Sequence, residues 1–161
     1  MTNVNRGKKF EEIIKQSFLK VPNVSVDRLH DQMTGFKVTS ANVCDFIVYK
    51  KPYEYYIECK STYGASLPFS NITDNQWNGL LEKSKIDGVF AGIICWFINK
   101  DKTYYIPIQR FEFERKYGHG KSLGFRNLYE DEFVEITGKK KRVFFDYDMK
   151  QFFDAMEKKV W

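Results

Sequence analysis

Three charged residues stand where short-range order can bring them together: Asp45, Glu58 and Lys60. Glu58 and Lys60 are two apart, and residues two apart in an extended strand share a face. Cys59 between them points the other way, into the core. Asp45 lies on the preceding β-rich run and reaches the same edge if the two runs pair as a hairpin. Two carboxylates held close repel, and a cation relieves them. Hard oxygen donors without imidazole or thiolate favour Mg²⁺, with Mn²⁺ as a substitute, over zinc. Such an ion lowers the pKa of a bound water and neutralises charge on a phosphoryl oxygen. Lys60 would orient the attacking hydroxide or stabilise the charge of the transition state. Together these groups suffice for phosphodiester hydrolysis. As a bare tripeptide, Glu-x-Lys is an ordinary surface ion pair. The flanks weigh against that reading: Val43, Phe46, Ile47, Val48, Ile57 and Cys59 are apolar enough for core strands. Three charges at the edge of a buried hairpin need a reason.

The elements that position these groups follow from periodicity. Val43 to Tyr49 and Tyr53 to Lys60 read as strands, separated by the break Lys50-Lys51-Pro52. Ahead of them, about Gly7 to Leu19 reads as a helix with Phe10, Ile13, Ile14 and Phe18 on one face. Glu11 borders that face and Glu12 points away. Val24, Val26 and Leu29 suit a strand, Phe36 and Val38 the start of another, and Thr39 to Asn42 a turn. Thr73 to Ser84 reads as a helix opened by a capping box of Thr73 and Gln76. Asp87-Gly88 turns the chain into a buried strand, Val89 to Ile98, partnered by Thr103 to Ile108. Gln109 to Tyr117 reads as a helix, and Gly118, Gly120 and Gly124 mark a flexible basic loop. Val143 to Tyr147 is a short strand. A final amphipathic helix carries Met149, Phe152, Phe153, Met156 and Val160. Helices on a mixed central sheet give the fold class α/β (α+β).

Composition narrows the function classes. At 161 residues the chain fits one domain, with a short stalk-like insertion expected around residues 24–42. A net charge of +5 and a pI of about 9.0 suit a polyanionic partner. The 21 acidic residues argue against a simple DNA-coating protein. Cys44, Cys59 and Cys95 lack paired spacing, which argues against a disulfide framework and against a zinc site. His30 and His119 are too few for a His-rich centre. The thiols read as reduced, buried and cytosolic. No signal peptide precedes the first helix, and the longest apolar run, Gly88 to Ile98, is too short to span a bilayer.

Asp45, a dozen residues and then Glu58-Cys59-Lys60 resemble the PD-(D/E)XK nuclease signature, with Cys44 standing where a Pro usually precedes the Asp. The closer resemblance is to the RecU-type Holliday junction resolvases of Gram-positive bacteria and their phages. Asn5-Arg6-Gly7 with Phe10-Glu11 looks like that family's opening helix. Glu58-Cys59-Lys60-Ser61-Thr62 looks like its catalytic strand. Leu67-Pro68-Phe69 through Asn71 and Gln76, then Gly88 to Ile98, Tyr105-Ile106-Pro107 and Lys121-Ser122, continue the likeness. It implies a restriction-endonuclease-like core and a metal set of Asp45, Glu58 and the Cys59 backbone carbonyl. It also implies that Glu11 is sent toward the site and Gln76 stands beside Lys60. Without the resemblance, Glu11 is a surface carboxylate favoured near a helix start. Gln76 would be the capping partner of Thr73, a role hard to combine with a catalytic one. The family's long stalk, inserted between its first strands, is much shortened here.

Phosphate contacts are expected from Lys8, Lys9, Arg28, Lys50, Lys51, Thr62, Lys121, Arg126 and Lys140. Tyr53, Tyr55, Tyr56, Phe36 and Trp77 are candidates for stacking on unpaired bases, for the core or for a dimer interface. The function this implies is a structure-selective endonuclease that resolves four-way junctions by paired symmetric nicks. It would work as a cytoplasmic homodimer in a bacterial cell, host- or phage-encoded, without membrane association. Two other readings are a nuclease acting on duplex, flap or fork DNA and a non-catalytic junction-binding protein. The retained Asp45, Glu58 and Lys60 weigh against the last.

Overall fold

The computed structural model describes residues 2–30, 32–34, 37–40, 42–159 and 161, with the backbone alone at 3, 4, 32–34 and 37–40. Phe36, Ala41 and Val160 lie outside the described residues.

Helix α1 (Asn3–Leu19) begins a turn earlier than apolar spacing indicates, because Thr2 caps it by accepting from the Asn5 N–H. Strand β1 (Ser25–Arg28) follows, then the short strands β2 (Gln32–Thr34) and β3 (Lys37–Ser40). The site-bearing strands β4 (Phe46–Lys50) and β5 (Tyr53–Thr62) pair antiparallel, as the alternation predicts. After β6 (Ser66–Pro68) come helix α2 (Asp74–Ser84), strands β7 (Val89–Phe97) and β8 (Lys102–Pro107), and helix α3 (Ile108–Tyr117). The last part holds β9 (Ser122–Gly124), β10 (Val134–Glu135), β11 (Gly138–Lys141), β12 (Phe144–Tyr147) and helix α4 (Met149–Lys158).

The central sheet has six strands in the order β1-β4-β5-β7-β8-β10. Only the β5–β7 pair is parallel, with α2 in the crossover between them. Both faces are covered, so β5 and β7 read as nearly continuous apolar runs. On one face, Phe10, Ile14 and Phe18 of α1 meet Phe152, Phe153 and Met156 of α4. On the other, Trp77 and Leu80 of α2 meet Ile108 and Phe111 of α3. Tyr55, Tyr56 and Trp77 are buried in these two layers and Tyr53 packs against them, so these rings serve the core.

Two expectations need correction. The segment read as a flexible basic loop ends in a strand: β9 pairs antiparallel with β6, and Gly124 is buried. A Cβ at Gly124 would lie 2.1 Å from the Ala65 carbonyl oxygen, so glycine here serves close approach rather than flexibility. The segment read as a turn at Thr39 to Asn42 is in part strand: β3 pairs with β2 as a separate two-stranded sheet. The expected insertion around 24–42 therefore divides. Its first part, β1, is an edge strand of the central sheet, and only the β2–β3 hairpin stands apart from it.

Candidate active site

Strand β4 stops short of the site. Its first residue, Phe46, lies opposite Ile57, so Glu58 to Thr62 extend past it with β7 as their neighbour on the other side. Asp45 occupies the notch. Its N–H donates to the Ile57 carbonyl at 3.1 Å, and its Oδ2 accepts from the Cys59 N–H at 2.8 Å. A carboxylate thus takes the place of the next rung of the ladder. Gly79 lets α2 come close to this corner, since a Cβ there would lie 2.2 Å from Val43 Cγ1.

Glu58 faces α2 and is 4% exposed. Its Oε1 accepts from Gln76 Nε2 at 2.8 Å and pairs with Lys60 Nζ at 2.9 Å. Its Oε2 is buried without a hydrogen-bond partner. Burial, then the nearby Asp45 charge, push the Glu58 carboxyl up to about 7. Burial also raises Asp45, against the pull of the Cys59 N–H and Lys60. Glu11 is raised by burial and by Asp45, which places its carboxylate within electrostatic reach of the site across the sheet edge. Glu12, expected to point away from the apolar face, reaches the same Arg28 guanidinium as Glu11.

Gln76 combines the two roles. Its Oε1 accepts from the Thr73 N–H at 3.0 Å, completing the capping box, while its Nε2 reaches Glu58. The amide has two chemically distinct ends, and the cap orients one so that the other faces the carboxylate.

The expected phosphate contacts scatter more widely. Lys8 and Lys9 are exposed on the first turns of α1. Arg28 is engaged by Glu11 at 2.7 Å and Glu12 at 3.6 Å, and so locks β1 to α1. No sequence signal joins residues so far apart. Lys50 pairs with Glu157 at 3.1 Å, and with Lys51 it lies at the far end of the hairpin. That is five strand residues from Asp45, roughly 16 Å. Thr62 Oγ1 donates to the Ser66 carbonyl and accepts from the Gly64 N–H, both at 3.3 Å, shaping the turn after β5. Lys121 and Arg126 are exposed on either side of β9. Lys140 pairs with Asp101 at 2.6 Å, close to the C-terminal end of β7, which is also the end where the site lies.

The sequence profile described as Recombination protein U matches residues 7–150. The chain belongs to the RecU family. Membership places it among Holliday junction resolving nucleases, and its fold is the mixed central sheet flanked by helices that the sequence predicts. Among solved structures it is similar to Hjc of Archaeoglobus fulgidus, a Holliday junction resolvase from an archaeal hyperthermophile, at 16% identity and a TM-score of 0.49. That match covers 65% of this chain and 78% of the archaeal one. No curated protein matches the chain in sequence. Within the RecU family match fall all five residues that surround the notch: Glu11, Asp45, Glu58, Lys60 and Gln76.

Proposed function

We propose that this RecU-family chain cuts four-way DNA junctions by paired symmetric nicks, as a homodimer whose two sites each require Mg²⁺. The observation that carries the metal requirement is Glu58 Oε2, a buried carboxylate oxygen without a hydrogen-bond partner beside a second buried carboxylate. Leaving such an oxygen unsatisfied is costly, and a divalent cation would satisfy it while relieving the repulsion. Among the described residues no three His, Cys, Asp or Glu side chains group as a metal cage. Asp45 and Glu58 would therefore hold the ion together with neutral oxygens. Cys59 suits that need, because the N–H and C=O of one strand residue point to the same edge, and its N–H already faces Asp45. When bound, the ion supplies an acidified water and charge neutralisation at the scissile phosphate.

The chain's own groups divide the remaining work. Lys60, fixed by Glu58, presents an ammonium to the attacking oxygen or to the developing charge. Gln76 holds the Glu58 carboxylate in one orientation, and Glu11 adds a third negative charge at the rim. The test is cleavage of labelled four-way, flap and linear duplex DNA. With Mg²⁺ or Mn²⁺ the four-way substrate should be nicked symmetrically in preference to the others. With Ca²⁺, which tolerates looser geometry, it should be bound and left intact. Equal cutting of all three substrates would give the general-nuclease reading instead. Full activity in excess chelator would remove the metal.

A further inference from the structure

We infer that Arg6, Ser61 and Tyr63 form a second anion site, which grips a non-scissile phosphate of the strand being cut. This deepens the junction-nuclease reading and rests on it. The three residues, with Ile98, line a cavity of about 170 Å³ at the end of β5. At roughly 30 Å³ per water, that space holds several waters or one tetrahedral oxyanion.

The chemistry of the lining favours the oxyanion. A guanidinium stays charged under all ordinary conditions. Among the described residues no carboxylate lies within ion-pair distance of Arg6, whereas Arg28, Arg110 and Arg115 all have one. Arg6 instead lies over the Tyr63 ring, 5.2 Å from its centroid, and donates through Nη1 to the Tyr63 hydroxyl. Its Nε is buried and has no partner. A half-buried cation with an orphaned donor is costly unless an acceptor arrives. The Ser61 and Tyr63 hydroxyls add groups suited to phosphate oxygens.

Position ties this cavity to the cut. Ser61 follows Lys60 directly, on the opposite face of β5. Tyr63 is three residues beyond Lys60, about 10 Å along an extended chain. Among the described residues no strand pairs with the end of β5 on its β4 side. A DNA strand with one phosphate at Glu58 and Lys60 can therefore pass round that edge and place a neighbouring phosphate against Arg6.

The experiment couples one side chain to one phosphate. Junctions carrying a single neutral methylphosphonate at each position within two nucleotides of the nick are cut by the native protein and by Arg6→Gln. The native protein's cleavage of the unmodified junction tests the junction-nuclease reading by itself. For the anion site, Arg6→Gln should slow cleavage of unmodified DNA by about tenfold or more, the loss of a charge-assisted hydrogen bond. One methylphosphonate should slow the native protein similarly and the variant hardly further. In chelator, where nothing is cut, the salt dependence of junction binding should also flatten by about one phosphate's worth, near 0.9 in log–log slope. Tyr63→Phe, which keeps the ring, should show a weaker loss at the same phosphate. Penalties that multiply at every position, or an unchanged salt slope, would make Arg6 a structural tie between α1 and the turn after β5. That result would overturn the inference while leaving the reaction in place.

Discussion

The two carboxylates at the notch oppose the fold when no cation is present. Glu58, held up to about 7 by burial and by Asp45, is stabilised in its protonated form. A carboxyl raised in the folded state lowers stability once pH rises above its unfolded value, near 4.3, so the cost is present at neutral pH. Glu58→Gln removes that charge and keeps the shape. In chelator at neutral pH the variant should melt no lower than the native protein. Added Mg²⁺ should raise the native melting temperature and leave the variant's unchanged, while junction cleavage by the variant falls sharply and junction binding persists. A native-like cleavage rate would end the role of Glu58 as a ligand. Lys60→Ala tests the other side of the pair. Losing one positioned transition-state donor typically costs roughly a hundred- to a thousandfold in rate. Binding should change little, because Lys60 is one cation among 26 Lys and Arg. Equal losses in binding and rate would make it a docking residue.

At the scale of elements, the hairpin, the capping box and the long apolar strands were legible because each is a local pattern. Glu58, Cys59 and Lys60 follow strand alternation, and Thr73 with Gln76 follows capping spacing. What escaped depends on distant partners. β9 is a strand only because β6, far upstream, pairs with it. Arg28 reads as a free cation until Glu11 is seen beside it. The sequence leaves Gln76 with one role or the other, since it does not show that α2 aims the amide at Glu58. The paired strands β2 and β3 fall within residues 24–42, where the family resemblance leads us to expect a shortened stalk. We propose that this hairpin selects the junction. Because β1 belongs to the central sheet, the deletion that tests this must spare Ser25–Arg28 and remove only residues 32–40, closed with Gly-Ser. The shortened protein should fold and still nick DNA, with its preference for four-way over duplex DNA lost. Retained preference would move junction reading to another surface.

At the scale of the whole molecule, resolving a junction takes two cuts, and one chain offers one notch. A two-fold dimer supplies two. Subunit mixing tests this. Equimolar native protein and Glu58→Gln variant, allowed to exchange, should retain about a quarter of the paired nicking, with single nicks rising as mixed dimers form. Independent monomers would instead show both products falling together by about half. Sedimentation of the native protein gives the mass directly, and a monomer under cleavage conditions would refute the dimer.

The end of β5 without a strand partner among the described residues also bears on solubility. Among the described residues no strand pairs with β5 past Ile57 on its β4 side, and unpaired strand edges are templates for pairing with other chains. Evolution commonly protects such edges with charge. Here Asp45 occupies the Cys59 N–H, and Lys60 and Glu58 stand beside it, so the residues for which we propose DNA cleavage also keep the edge from recruiting a foreign strand. Catalysis and resistance to aggregation then depend on the same side chains. Asp45→Asn keeps an oxygen that can accept from Cys59 and should stay as soluble as the native protein, though inactive. Asp45→Ala frees the edge and should show concentration-dependent light scattering well above either. If the two variants scatter alike, the edge is guarded by something other than Asp45.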